Sequence, residues 1–108
     1  MSRVRNTNFY KSNKWVVKRE KILKRDKYEC QNCRRYYKTK QATTVHHIYF
    51  YEDYSELGLV NWNLMSLCNE CHNKMHNRVT DEATKLGKEY QDKRKVEFNN
   101  YIKNKKIK

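Results

Sequence analysis

Residues 63–76 read Asn63-Leu-Met-Ser-Leu-Cys-Asn-Glu-Cys-His-Asn-Lys-Met-His76, and this stretch decides the fold. Cys68 and Cys71 are separated by two residues, the spacing at which two thiolates curl around one tetrahedral ion. The same spacing recurs at Cys30-Gln-Asn-Cys33, which accounts for all 4 cysteines of the chain. Two such knuckles complete a four-sulfur site. Zinc or an iron–sulfur cluster would take those soft ligands, and with no redox-partner motif in the sequence structural zinc is the reading. His72 follows Cys71 directly, and His76 lies four residues further on. On a helix over about 69–77, His72 and His76 share one face, while Cys71 and His72 point about 100° apart. One helix then carries a sulfur-bound ion on one side and an imidazole-lined site on another.

The other two histidines form the adjacent pair His46-His47, so all 4 lie between residues 46 and 76. They sit in a run, 43–51, that is β-branched and aromatic and is read as a strand. A metal held by imidazoles with open positions polarises phosphate, and histidine is the natural general base near neutrality. Upstream, Ser12 caps a helix over about 13–26, with Trp15, Val16, Arg19, Ile22 and Leu23 on one stripe. Its lysines either touch nucleic-acid phosphate or are simply solvated. Residues 34–41 form a basic loop, 52–58 a long turn, and 59–67 a short return strand or irregular segment. Thr80 caps a last helix with Asp81 and Glu82 in its first turn, weakened by Gly87 and ending in a frayed basic tail. Tyr49, Phe50, Tyr51 and Tyr54 either stack on bases or form the core of a small fold. The expected layout is one α+β domain over 1–108: a mobile basic arm (1–12), a zinc-stapled core (13–79), then the C-terminal helix and tail (80–108).

Charge limits the partners. Lys and Arg number 25 against 12 Asp and Glu in 108 residues, a formal excess of +13. Such self-repulsion in a small chain points to a polyanion. No apolar run approaches the roughly 18 residues of a membrane span, and the cations are not gathered opposite an apolar helix face. Nucleic acid is therefore favoured over a membrane. The start, Met1-Ser-Arg-Val-Arg, lacks the apolar middle of a signal peptide, so an intracellular, cytoplasmic protein is expected.

Asp26-Lys-Tyr-Glu-Cys-Gln-Asn-Cys33, Val45-His-His-Ile48 and the 63–76 string, in that order, resemble the zinc-stapled branch of the HNH nuclease family over about residues 15–76. The resemblance implies a ββα-metal (His-Me finger) core, a two-stranded ribbon and one helix clasping a divalent ion, with helices at either end of the chain. By position, His46 matches the first metal ligand, His47 the general base, and His72 the ligand on the helix. Asn63 matches the middle Asn that orients the base, with Asn61 as rival if the loop register slips. His76 binds the metal, touches phosphate or does neither. The all-histidine set shifts preference from Mg²⁺ toward Mn²⁺, Ni²⁺ or Zn²⁺. The implied reaction is hydrolysis of DNA to 5′-phosphate and 3′-hydroxyl ends, with Arg34, Arg35, Lys38, Lys40 and Lys74 as candidate backbone contacts. Small stand-alone members further imply a phage protein linked to the DNA-packaging terminase, acting in the host cytoplasm. The alternatives are a non-catalytic zinc-stapled DNA-binding module or an assembly factor; the intact set His46, His47, Asn63 and His72 favours the enzyme. The charge excess makes one prediction. Affinity for random-sequence duplex DNA should fall about a hundredfold or more between low and physiological salt, and a flat titration would contradict it.

Overall fold

A two-stranded ribbon buried on both faces organises the chain. The structure is a computed structural model that describes residues 7–77 and 79–107. Strand β1 (Thr44–His47) pairs antiparallel with β2 (Leu64–Leu67), placing Thr44 opposite Leu67 and His47 opposite Leu64. Around the ribbon stand α1 (Thr7–Lys11), α2 (Asn13–Arg25), α3 (Gln31–Arg35), α4 (Asn69–Asn73), α5 (Lys85–Lys93) and α6 (Lys95–Ile107). Two single-turn 3₁₀ helices, Ser55–Leu57 and Asn61–Asn63, lie between the strands.

Side chains alternate across a strand, and here the alternation divides two cores. Val45 and Leu64 pack with Trp15, Ile22 and Leu23 of α2. Met65 and Leu67 pack on the other side with the cysteines, Met75 and Tyr90. Ser66, on the α2 side, is fully buried and donates its backbone N–H to Asp26 at 3.0 Å. Arg25 grips the same carboxylate at 2.9 and 3.0 Å and reaches across to the carbonyls of Asn61 and Leu64. The Arg25–Asp26 pair therefore fastens the end of α2 to β2.

Helix α2 begins where the sequence places it, with the Ser12 hydroxyl accepting from Trp15 N–H. The expected arm over 1–12 is corrected in part. Residues 7–11 form α1, whose Phe9 packs against Trp15 and stacks on Tyr51 at 4.0 Å; residues 1–6 lie outside the described residues. The strand expected over 43–51 stops at His47: Ile48 N–H still bonds the Asn63 carbonyl, but the chain then bends and the Asn63 side chain takes both the N–H and the carbonyl of Tyr49. Arg34 and Arg35, expected in a loop, close α3.

The helix expected over 69–77 ends at Asn73, and the last helix is capped by Thr84 rather than Thr80. Both differences have one cause. The Thr84 hydroxyl donates to the Lys74 carbonyl at 2.6 Å and accepts from Gly87 N–H at 3.1 Å, joining the end of one helix to the start of the next. Gly87, read as a weak point, is required there, since a Cβ would collide with the Met75 carbonyl. The expected single C-terminal helix is two, α5 and α6, separated by Arg94. The expected frayed tail is helical through Ile107, with Lys105 paired to Glu56 at 3.3 Å. Among the described residues no helix is long and apolar enough to cross a membrane.

Removing the Asp26 carboxylate leaves Ser66 N–H and the Arg25 fork without their acceptor. Asp26→Ala should lower stability in urea by about 2 kcal/mol at constant bound metal; a loss under about 0.5 kcal/mol, the ordinary surface value, would contradict the fastening role.

Candidate active site

The two cysteine pairs are built alike. Cys30 and Cys68 each occupy the N-cap of a short helix, with the sulfur accepting from the backbone N–H of Cys33 and Cys71 respectively, both at 3.5 Å. The four sulfurs lie within 4.8 Å of one another, the one such group of three or more donors among the described residues. Burial, and then the sulfurs of Cys71 and Cys30, push the Cys33 thiol up to about 12. Four thiolates this close need a cation between them, so the donor set fits a tetrahedral soft-ligand ion. A chain of bonds supports it from outside: Tyr90 of α5 donates to Asn32 at 2.7 Å, and the Asn32 amide donates to the Cys71 sulfur at 3.4 Å.

Helix α4 runs from this cluster to the histidines. Cys71 turns into the sulfur group while His72 stands beside His46, ring centroids 5.3 Å apart. His76 lies 6.1 Å from His72 even though the helix has ended. The turn in which Met75 N–H bonds the His72 carbonyl keeps the two rings together, and a bridge to Ala83 holds His76. Phe50 fills the space between His46 and His76. The four histidines line one cleft of about 470 Å³.

Adjacent residues of β1 point to opposite faces. His46 turns toward α4, whereas His47 turns toward α2 and stacks on Trp15 at 4.9 Å. His46 is 3 % exposed, and its Nε2 is the one buried side-chain nitrogen or oxygen without a partner among the described residues. Burial, and then the neighbouring rings of His72, His47 and His76, hold its pKa well below the usual imidazole range. A neutral ring with an unused nitrogen is the form that ligates a metal, so the site fits a divalent ion.

His47 Nε2 lies 3.0 Å from the Gly58 carbonyl. A carbonyl only accepts, so Nε2 carries the proton and Nδ1 keeps the basic lone pair. Burial pushes the His47 pKa down to about 4, reinforced by His72 and opposed by the bond to Gly58. The carbonyl can come this close because residue 58 is glycine: a Cβ there would stand 2.8 Å from the Tyr51 ring. Asn63 is completely buried and fixes the same loop. Its side chain accepts from Tyr49 N–H at 2.7 Å and donates to the carbonyls of Tyr49 and Leu57. It touches Leu57 rather than His47. Asn61, the alternative, faces α2, where Lys18 donates to it at 2.7 Å.

The aromatic residues near the site pack. Tyr49 stacks on Phe98 at 4.0 Å and donates to the Gln91 carbonyl, and Tyr54 joins the same cluster. Of the candidate cations, Arg35 is held by Glu89 and Tyr90 of α5, Lys40 by Glu70 at 2.9 Å, and Arg34 stands 3.8 Å from Glu29. Lys74 and Lys38 lie close enough to Glu70 to act on it electrostatically. None of these five lines the cleft, but Arg19, Glu52 and Asp81 do. Arg19 was read as part of the apolar stripe of α2. It is half-buried and makes no hydrogen bond or ion pair among the described residues. A cation on the stripe that sends Trp15, Ile22 and Leu23 into the core was its signal in the sequence, although Val16 of the same stripe is 49 % exposed.

No curated protein matches the chain. The sequence profile of the HNH endonuclease family matches residues 30–78, which takes in both knuckles and all four histidines. The crystal structure of the deep-sea thermophilic bacteriophage GVE2 HNH endonuclease with manganese ion is similar to this chain at 37 % identity and a TM-score of 0.61, over 62 % of this chain and 73 % of that one. Identity at this level across nearly three quarters of the relative, together with the profile match, makes the chain a member of the HNH endonuclease family.

Proposed function

We propose that the cleft hydrolyses phosphodiester bonds of DNA, with His47 as the general base. The observation that carries this reading is a ring fixed in one tautomer beside a ring with an unused nitrogen. His47 donates through Nε2 to Gly58, and His46 Nε2 has no partner. Trp15 stacked on one side and Gly58 at the edge hold the His47 imidazole, with Nδ1 as its basic atom, so that it takes a proton from an attacking water. Its depressed pKa keeps it in the base form at neutral pH.

His46 and His72 would hold the divalent ion, with His76 lining the same cleft 6.1 Å from His72, and the bound ion would supply Lewis acidity to phosphoryl oxygen. Two or three imidazoles, unlike four thiolates, leave coordination positions for water and substrate. Imidazole donors favour the later divalent transition ions over Mg²⁺, and manganese is the ion in the phage relative's structure. Arg19 contacts the phosphate whose bond is cut, offering a planar fork from the α2 side of the cleft. Asn63 is a positioning residue. It holds Leu57, and through it the Gly58 carbonyl, against His47. Lys38, Lys40 and Lys74 bind the flanking backbone, because phosphate attracts the surplus charge that Glu70 neutralises only in part.

A plasmid-nicking assay tests the assignment. His47→Asn, which removes the imidazole, should abolish nicking while fold and sulfur-bound metal persist. Arg19→Ala should bind DNA and cut about a hundredfold more slowly. Undiminished nicking by the His47 variant would refute the base assignment.

A further inference from the structure

The seven residues 34–40 are all exposed, and one of them does what a folded chain rarely does with a large aromatic. Tyr37 is 99 % exposed and makes no hydrogen bond or ring contact among the described residues. Its φ is +61°. It occupies the residue just beyond the C-cap of α3, where Tyr37 N–H bonds the Arg34 carbonyl at 3.0 Å and Lys38 N–H bonds the Cys33 carbonyl at 2.9 Å. That helix-ending motif ordinarily places glycine at the left-handed position. A tyrosine there strains the backbone and buries nothing. Tyr28 also has a positive φ, of 57°, but its hydroxyl is engaged with Glu20 at 2.7 Å. Tyr37 has no such role within the fold.

Its mount is rigid and its surroundings are cationic. The two bonds that hold the turn run to the knuckle residue Cys33 and its neighbour Arg34. Arg34, Arg35, Lys38 and Lys40 flank the ring in sequence, and the Arg35 guanidinium lies over Tyr36 at 5.2 Å. The loop also leads toward the active cleft. Lys40, Gln41 and Thr43 line a second hollow with Asn69 and Asn73, while the next residues along, Thr44 and His72, line the cleft itself. Seven peptide steps separate Tyr37 from Thr44, a span of at most roughly 25 Å, or about seven base pairs at 3.4 Å each.

We infer that Tyr37 is a wedge for duplex DNA, its ring inserted from the groove against a base step within about seven base pairs of the cut while the flanking cations hold the backbone. This rests on the nuclease reading and adds to it a residue that grips and deforms the substrate.

The test uses the full-length protein in the cleavage-inactive His47→Asn background, with duplexes carrying 2-aminopurine, whose fluorescence rises when its stacking is disturbed. Tyr37→Gly should raise the melting temperature, because glycine relieves the left-handed strain. It should also weaken duplex binding about tenfold and remove the fluorescence rise seen with the parent. Tyr37→Phe should behave as the parent. Duplex binding and fluorescence unchanged in Tyr37→Gly would overturn the proposal. So would a lower melting temperature, which would make the ring structural, or a loss confined to single-stranded DNA, which would make it a stacking platform for unpaired bases. A parent that fails to bind DNA, with a wild type that fails to nick it, would overturn both proposals and locate the fault in the nuclease reading.

Discussion

Four cysteine sulfurs within 4.8 Å of one another, three of them on buried residues, are the constraint on which the rest of this structure depends. As thiolates they repel, so the two knuckles close only around a cation, and closing them joins residues 30–33 to residues 68–71. The core on that side of the ribbon, with Met65, Leu67, Met75 and Tyr90, packs around these cysteines, and in a chain of 108 residues such a core is small. Helix α4 is five residues long and would not persist alone. Its N-cap and third residue belong to the sulfur site, and its fourth, His72, belongs to the cleft. The ion that staples the fold thereby fixes one wall of the chemistry.

The ribbon supplies the other wall. Two consecutive histidines on a strand diverge, and the divergence gives them different surroundings. His46 meets the rings of His72 and Phe50 and ends with an unused nitrogen, as a ligand does. His47 meets Trp15 and the Gly58 carbonyl and ends with its tautomer fixed, as a base requires. A shift of one residue in strand register would exchange these surroundings. Much of the surrounding framework maintains register: Arg25 and Asp26 on β2, Asn63 on the loop that delivers Gly58, and Ile48 bonded to the Asn63 carbonyl.

What could be read in the sequence was whatever depends on local spacing. The pairing of β1 with β2 was implied by the family resemblance, residues 59–67 alone reading as strand or irregular segment, whereas the Ser12 cap and the two knuckles follow from short-range rules. The join at Thr84 does not, because the hydroxyl that starts α5 is chosen by a carbonyl ten residues earlier, and Thr80 with its two following acids is the better local signal. Gly87 looked like a weak point because the Met75 carbonyl pressed against it is remote in sequence. Helix α1 is a single turn, and its aromatic residues are legible only once Trp15 and Tyr51 are in place. Arg19 is the instructive miss. Helical periodicity placed it between Trp15 and Ile22, both buried, but Trp15 and Arg19 also line the cleft and Val16 of the same stripe is exposed. The nearness of His72 and His76 was anticipated, though a turn and a bridge hold them rather than a continuous helix.

The central claim is that α4 serves two metal sites of different chemistry, one built of sulfur for rigidity and one of imidazole for hydrolysis. Cobalt(II) titration of metal-free protein under reducing conditions, followed by absorption spectroscopy, tests it most directly. The first equivalent should show strong thiolate-to-metal charge transfer and tetrahedral bands. A second, weaker equivalent should lack charge transfer and disappear in His46→Ala. Saturation at a single equivalent, or a second site indifferent to His46→Ala, would contradict the account.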